Sequence, residues 1–254
     1  MSDLTNFFIE IQKAAVKFRG WVNSVDWKKV SEEIEYIQNE LPPKIEENFV
    51  QLANKGWFVW DLDNPLGKFT NTISSTLDKS YEDQEEFLAS YIEAEIDSIQ
   101  AKLLASYPER STQINDAFCA HKTGLFGASI PTFIALAEGI CRKHYPEIGL
   151  YSKYPKDKRK AAKPRLPKTD GIFDKIPTLE IWEEMVLKPL RVSSDVTKSI
   201  NSPTEEEHTL FNRHLIMHGN SEKYGNRINA LKSISLVNFV HGSLSYLDKK
   251  SGKT

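Results

Sequence analysis

This 254-residue chain has few cysteines and lacks long apolar runs. It contains 2 cysteines, Cys119 and Cys141, which is too few for a disulfide scaffold. Both lie in apolar helical patterns, so we expect buried, reduced thiols. The longest apolar run is far shorter than a membrane span, and no basic segment followed by an apolar run opens the chain. These absences predict a cytoplasmic protein without a membrane segment.

An excess of charge of one sign is also lacking. The chain has 33 Lys and Arg residues against 35 Asp and Glu residues, a net charge of −2, so the molecule as a whole does not attract nucleic acid by charge. A local exception lies at about residues 151–170, where prolines separate many basic residues. That stretch is typical either of a solvated, flexible insertion or of a segment that binds RNA phosphates. Its candidate phosphate contacts are Lys156, Lys158, Arg159, Lys160, Lys163 and Arg165.

Helical periodicity dominates the rest of the chain. Apolar residues recur at intervals of three and four, and no segment alternates convincingly with a period of two. We therefore predict an all-α helical bundle, with a helical region of unknown role at residues 1–107 and a helical domain at residues 108–254 that contains the basic insertion. Asp26 is suited to cap a helix, Pro131 to the first turn of another, and Asn226 to the start of the last one.

The most informative segment lies shortly before the last helix. Residues 211–219 read Phe-Asn-Arg-His-Leu-Ile-Met-His-Gly, and we predict that they end a helix that Ser202 or Thr204 caps and Gly219 closes. A helix that is apolar on most sides is normally buried, and a guanidinium or an imidazole is costly there unless something pairs with it. Chemistry is therefore the first explanation to test for its polar residues.

The polar residues of this segment are the groups needed to cleave RNA without a metal ion. His214 and His218 are four residues apart and share one helical face, and the long side chain of Arg213 can reach them. An imidazole exchanges a proton near neutral pH, and a guanidinium holds phosphate oxygens through paired donors. One histidine would move the proton of the ribose 2′-hydroxyl or of the leaving oxygen, while Arg213 stabilises the crowded phosphate.

Residues 213–218 (Arg-His-Leu-Ile-Met-His) resemble the Arg-polar-x-x-x-His signature of HEPN domains, helical bundles found among bacterial toxins and abortive-infection ribonucleases. The resemblance extends to Tyr224 and Gly225, to the last helix and, more loosely, to residues 114–142. It implies a homodimer whose two signature helices line one cleft, and metal-independent cleavage of RNA that leaves a 2′,3′-cyclic phosphate.

The resemblance also implies roles for individual residues and partners. Arg213 would bind the phosphate, His218 would be the acid or base, and His214 would orient the site. The protein would be a toxin or an anti-phage defence effector that acts on RNA, and an antitoxin or a regulatory partner would control it.

Other interpretations of the same segment stay open. Many HEPN-like domains do not cut RNA, so this helix could be the seam of a dimerisation or binding module, and the basic insertion could belong to a nucleic-acid-binding regulator. The two histidines have a spacing that suits zinc, but Leu215 stands where a glutamate is usual, and no third ligand lies nearby in the sequence. We therefore expect neither a metal ion nor a cofactor.

Three further residues are candidates for supporting the site: Glu138, Asn212 and Tyr224. Glu138 lies in an apolar helix, where a carboxylate could orient Arg213 or His218, or could equally form a cap or a salt bridge.

Two other groups of residues are expected to be structural. The aromatic run at residues 57–60 is expected to pack in the core or against another subunit. The remaining histidines are expected to be surface or core imidazoles rather than ligands: His121, His144, His208 and His241.

Overall fold

The computed structural model describes residues 24–60, 79–154, 166–176, 178–200 and 202–252, together with Lys13 and Lys17. Its regular structure is helical, and these residues form no strand, which confirms the all-α prediction. The chain divides into two compact units, residues 1–43 and residues 44–254. Residue 107, where the sequence analysis predicts a boundary, lies inside the second unit.

Eight α-helices lie in the described ranges. They are α1 (Trp27–Glu35), α2 (Leu41–Asn54), α3 (Tyr81–Ser106), α4 (Ser111–Lys122), α5 (Phe126–His144), α6 (Ile181–Leu187), α7 (Arg213–Met217) and α8 (Arg227–Lys250). A π-helical turn, Tyr36–Glu40, precedes α2, and short 3-10 turns lie between later helices. None of these helices combines the length and the apolar character that crossing a bilayer would require.

Side-chain caps explain where several helices begin. Asp26, Ser80 and Asn226 precede α1, α3 and α8, and the side-chain oxygen of each accepts a hydrogen bond from the backbone N–H three residues later, at 3.1, 3.2 and 2.9 Å. Such a bond satisfies one of the N–H groups that the first turn of a helix leaves without a partner. The predicted helix starts at Asp26 and Asn226 are confirmed.

The start of α5 differs from the prediction. This helix begins at Phe126, so Pro131 lies inside it rather than in its first turn. Because proline has no N–H, the carbonyl of Gly127 loses its helical donor, and the hydroxyl of Tyr224 donates to that carbonyl instead at 3.0 Å. Tyr224 therefore ties the loop before α8 to the first turn of α5.

The helix predicted to run from Ser202 or Thr204 to Gly219 is interrupted. Thr204 does accept a hydrogen bond from the N–H of Glu207, at 3.3 Å, but the helical turn that follows ends at Thr209. The backbone is extended at Leu210 and again at Asn212, and α7 then starts as a separate short helix. The interruption turns Phe211 into the core, where it is buried against Gly56.

The two cysteines have different environments. Cys141 is buried, as predicted, and burial raises the pKa of its thiol to about 12. Cys119 is exposed on α4, so the expectation that both thiols are buried is wrong. The apolar pattern around Cys119 belongs to its neighbours Ala117 and Phe118, which point inward.

The basic insertion leaves and rejoins the fold at one place. An antiparallel bridge joins Lys153 to Pro167, and the N–H of Tyr154 donates to the carbonyl of Leu166 at 2.9 Å. The six candidate phosphate contacts of the insertion, from Lys156 to Arg165, lie outside the described residues.

Helix α8 is the centre of the second unit. Of its 24 residues, 15 are buried, and it packs against both α3 and α5. The aromatic run at residues 57–60 covers a further side of α8. All four side chains of this run are buried, which confirms the expected core packing. Trp60 lies edge-on to Phe239 and Tyr246, with ring centres 6.5 and 6.0 Å apart.

Close contact between Trp60 and α8 depends on Gly242. A Cβ atom at Gly242 would lie only 2.1 Å from Nε1 of Trp60, nearer than atoms can approach. The indole can rest on the helix backbone only because this position has no side chain.

We expect the substitution Gly242→Ala to lower the free energy of unfolding by about 1–3 kcal/mol, because the added methyl group forces Trp60 out of its packed position. Urea denaturation followed by circular dichroism measures this loss.

Gly127→Ala is the matched control, since a Cβ atom there meets no atom within 4 Å. Removing a glycine from a helix at such a position should leave stability unchanged or raise it by about 0.5–1 kcal/mol. Equal stability of Gly242→Ala and the wild type would contradict the proposed packing.

Candidate functional site

Helix α7 is only five residues long and is held at both ends by local hydrogen bonds. The side-chain oxygen of Asn212 accepts from the N–H of Leu215 at 3.0 Å, and its amide donates to the carbonyls of Asp195 and Lys198 at 2.8 and 3.0 Å. Gly219, with φ of +70°, ends the helix. The buried Asn212 thus joins α7 to the 195–198 turn, which is a supporting role.

Arg213, the first residue of α7, faces the ring of Tyr151. Its Cζ atom lies 5.3 Å from the ring centre, and its buried Nε atom has no hydrogen-bond partner among the described residues. The Tyr151 hydroxyl donates to the carbonyl of Ile134 at 3.0 Å, which fixes the ring against α5. The guanidinium is therefore held against an aromatic face.

Glu138 approaches this site through Tyr151 rather than by contact with α7. Its carboxylate accepts from Nε of Arg142 at 2.7 Å and from the backbone N–H of Tyr151 at 3.4 Å. Burial, followed by the charge of Glu138, raises the pKa of the Tyr151 hydroxyl, and the charge of Arg213 opposes that rise. Of the roles expected for Glu138, the structure contains the salt bridge.

His214 of α7 and His218, the residue that follows this helix, lie side by side. Their ring centres are 4.5 Å apart, with the planes inclined at 59°. Desolvation, followed by the charges of His218 and Arg213, lowers the pKa of His214, so its imidazole is neutral at neutral pH and can accept a proton. Leu215 and Ile216 form the buried face of α7.

The surroundings of α7 are wetter than predicted. His218 is exposed and His214 partly exposed, so the expectation of a buried site is wrong for this pair. The physical reason is the shortness of α7, because a helix of five residues buries one face and leaves the rest in water.

The structure places Arg213 and His214 on α7 and His218 directly after its last residue, with the two imidazole rings in contact and Asn212 as the cap of the helix. The hydroxyl of Tyr224 instead binds α5, as described above. Within the described ranges, no group of three or more histidine, cysteine, aspartate or glutamate side chains is placed to hold a metal ion.

A second cluster of titratable side chains joins the ends of α3, α5 and α8. His144 binds Asp248 through Nδ1 at 2.6 Å and the hydroxyl of Tyr107 through Nε2 at 2.9 Å. The same hydroxyl lies 3.0 Å from Nδ1 of His241. The Tyr107 hydroxyl therefore joins the two imidazoles, and His144 joins that hydroxyl to the carboxylate of Asp248.

Sequence reasoning treated His144 and His241 only as surface or core imidazoles. A signal for the cluster does exist in the sequence, because His241, Ser245 and Asp248 follow at intervals of four and three and so share one face of the last helix. The spacing within the last helix does not predict the partners of these residues, which are Tyr107 at the end of α3 and His144 on α5.

We expect nuclear magnetic resonance titration of the His214 ring to give a midpoint below the ordinary histidine value of about 6.5. The substitution His218→Gln should move that midpoint upward, because it removes one of the positive charges that disfavour protonated His214. Asn220→Ala, which alters an exposed side chain near the end of α7, should leave the midpoint in place. An unchanged midpoint in His218→Gln would refute the coupling.

We expect Tyr107→Phe to lower the free energy of unfolding by about 1–3 kcal/mol, because it removes the hydroxyl that two ring nitrogens share in a buried setting. Thermal and urea denaturation measure the loss. Tyr224→Phe is the matched control, since it removes one exposed hydroxyl with a single acceptor and should cost about 0.5–1 kcal/mol. A smaller loss for Tyr107→Phe than for Tyr224→Phe would count against the cluster.

Comparison of the chain with protein-family models, with curated proteins and with solved structures finds no match.

Proposed function

We propose that this chain is a metal-independent RNA endonuclease of the HEPN type, acting as a toxin or an anti-phage defence effector, with its active site at Arg213, His214 and His218. The observation that carries the proposal is a guanidinium without a counter-charge at the start of the short helix that holds His214 and ends at His218. Arg142, Arg191 and Arg227 each pair with a carboxylate, and Arg110 donates to the side chain of Gln113 and the carbonyl of Gly139. The guanidinium of Arg213 has neither a carboxylate nor a hydrogen-bond acceptor in the described ranges. A cation left in this state is suited to an anionic substrate.

The residues divide the reaction between them. Arg213 binds the non-bridging oxygens of the phosphate that is cut, and Tyr151 keeps its guanidinium in place. His214, which is neutral at neutral pH, accepts the proton of the ribose 2′-hydroxyl as the 2′-oxygen attacks phosphorus. His218 donates a proton to the 5′-oxygen as the bond from phosphorus to that oxygen breaks. The products are a 2′,3′-cyclic phosphate and a 5′-hydroxyl, so no water, metal ion or oxidant is consumed.

Exposed apolar side chains near α7 support the expected homodimer. Leu210 is 49% exposed and Met217 is 41% exposed, and they lie just before α7 and at its last residue. A second copy of the chain that covered these side chains would exclude water from the exposed imidazoles. The same side chains also support the alternative of a non-catalytic dimerisation module.

We expect the purified wild-type protein to cleave RNA in the presence of excess chelator, and the products to carry 2′,3′-cyclic phosphate ends. His218→Ala should reduce the rate by about a hundredfold or more, because it removes a group that moves a proton in the transition state. Sequencing of RNA ends detects the cuts, and circular dichroism checks that the variant is folded.

Asn220→Ala is the control and should cut at the wild-type rate. Wild-type protein that leaves every RNA intact would contradict the nuclease proposal. If, in addition, Arg213→Ala changed the sedimentation coefficient, the dimerisation module would replace it.

A further inference from the structure

A cleft of about 560 Å³ lies in the second unit, where nothing described so far assigns a function. Its size is within the range of small-molecule sites, which is about 300–1,000 Å³. The end of α2, the start of α3, residues of the segments 195–200 and 207–212, and the start of α8 contribute to its lining. Its charged lining residues include Lys55, Glu85, Asp195, Lys198 and Lys232, and the aromatic ring of Tyr81 lies among them.

Lys232 is a buried cation in the wall of this cleft. Its side chain is 10% exposed, and its ammonium lies 2.8 Å from Oε1 of Glu85. The same oxygen also accepts from the hydroxyl of Tyr81 at 2.6 Å and from the indole of Trp57 at 3.2 Å. One carboxylate thus serves three donors, and desolvation lowers the pKa of Lys232.

A second cation lies beside the first one. The ammonium of Lys55 stands 3.3 Å from the ring centre of Tyr81, and no described carboxylate pairs with it. Its charge disfavours the charged form of Lys232. Lys232 therefore pairs with Glu85 while Lys55 pairs with no described carboxylate, so the lining formed by Lys55, Tyr81, Glu85 and Lys232 has one more positive than negative group.

The first turn of α8 adds to the positive potential. Asn226 and Ile228 line the cleft, and the leading N–H groups of this long helix have no carbonyl partners within it. Of the lining residues between Asp195 and Asn212, Asp195 and Glu207 are negative and Lys198 is positive. The excess of positive charge is therefore local to the side of the cleft formed by α2, α3 and α8.

We propose that this cleft binds a small molecule carrying an oxyanion, a carboxylate or a phosphate, and that Lys55 and Lys232 are its cationic contacts. The anion neutralises the excess charge beside Tyr81. The remaining volume of the cleft accommodates the rest of the molecule.

Binding in the cleft has a direct path to α7. Asp195 and Lys198 line the cleft, and their carbonyls accept the two hydrogen bonds donated by the Asn212 amide. The oxygen of that amide caps α7 at Leu215. A ligand that shifts the 195–198 turn therefore shifts the start of the helix that begins at Arg213 and is followed by His218. The binding itself is independent of the proposed function, and only the regulation of RNA cleavage by it rests on that function.

Isothermal titration calorimetry with inorganic phosphate, acetate and adenosine 5′-monophosphate tests the binding. The titrations use Arg213→Gln protein, so that the proposed RNA-phosphate contact does not contribute. Binding of phosphate and acetate identifies a general oxyanion site, and binding of the nucleotide alone identifies a phosphorylated nucleoside. The absence of binding by all three at millimolar concentration overturns the proposal.

Substitution of Lys55 in the same background locates the site. Lys55→Gln should weaken binding by about three- to fivefold, because it removes one exposed charge contact without removing a described ion pair. Lys249→Gln, which removes a charge from the last turn of α8, should bind as tightly as its parent. Lys232→Met should weaken binding further, with circular dichroism to check its fold. Unchanged affinity in Lys55→Gln overturns the assignment.

The path to α7 has a separate readout. In the otherwise wild-type protein, the best-binding probe should shift the nuclear magnetic resonance signal of the His218 ring, and Lys55→Gln should weaken this response. Asn212→Ser retains a cap for α7 but loses both amide donors, so it should lose the shift even at probe concentrations that calorimetry shows to saturate its cleft. A shift that survives in Asn212→Ser shows direct binding at Arg213 and overturns the coupling. Neither result depends on whether RNA is cut.

Discussion

The contact on which the second unit depends is that of Trp60 with the backbone of α8 at Gly242. This glycine lets the indole lie against the helix, and Phe239 and Tyr246 then close around the ring. With the aromatic run on one side and α3 and α5 on others, α8 is buried over most of its length. A helix surrounded in this way sets the positions of the elements that pack on it.

Burial of α8 also determines the partners of its polar side chains. Lys232 meets Glu85 of α3, His241 meets Tyr107 at the end of α3, and Asp248 meets His144 of α5. A polar or charged group withdrawn from water is tolerated when a partner satisfies it. These pairs therefore fix which turn of α8 packs against which turn of its neighbours. Apolar contacts alone fix this register less strictly.

Helix α7 follows a different rule. It buries two side chains, and its position depends on the amide of Asn212 and the turn at Gly219 rather than on wide packing. Its cation, Arg213, rests on an aromatic ring instead of a carboxylate. Lys232 and Asp248 of α8 thus pair with side chains of neighbouring helices. At α7, by contrast, a guanidinium and two imidazoles stay available to an incoming group. That difference is the physical basis of the proposed function.

Local information was sufficient for the helical class and the caps at Asp26 and Asn226, because periodicity and capping act over a few residues. It also placed Arg213 and His214 in a helix, whereas His218 lies just past the end of α7. The interruption at Leu210, the position of Pro131 and the exposure of His218 depended on contacts with distant parts of the chain. The cleft at Lys232 and the cluster around Tyr107 depended on them too, since each contains a contact between residues more than a hundred positions apart in sequence. Sequence by itself determined which side chains could do chemistry. Tertiary structure alone decided which of them were neutralised, because a charge is paired or unpaired only by what folding brings beside it.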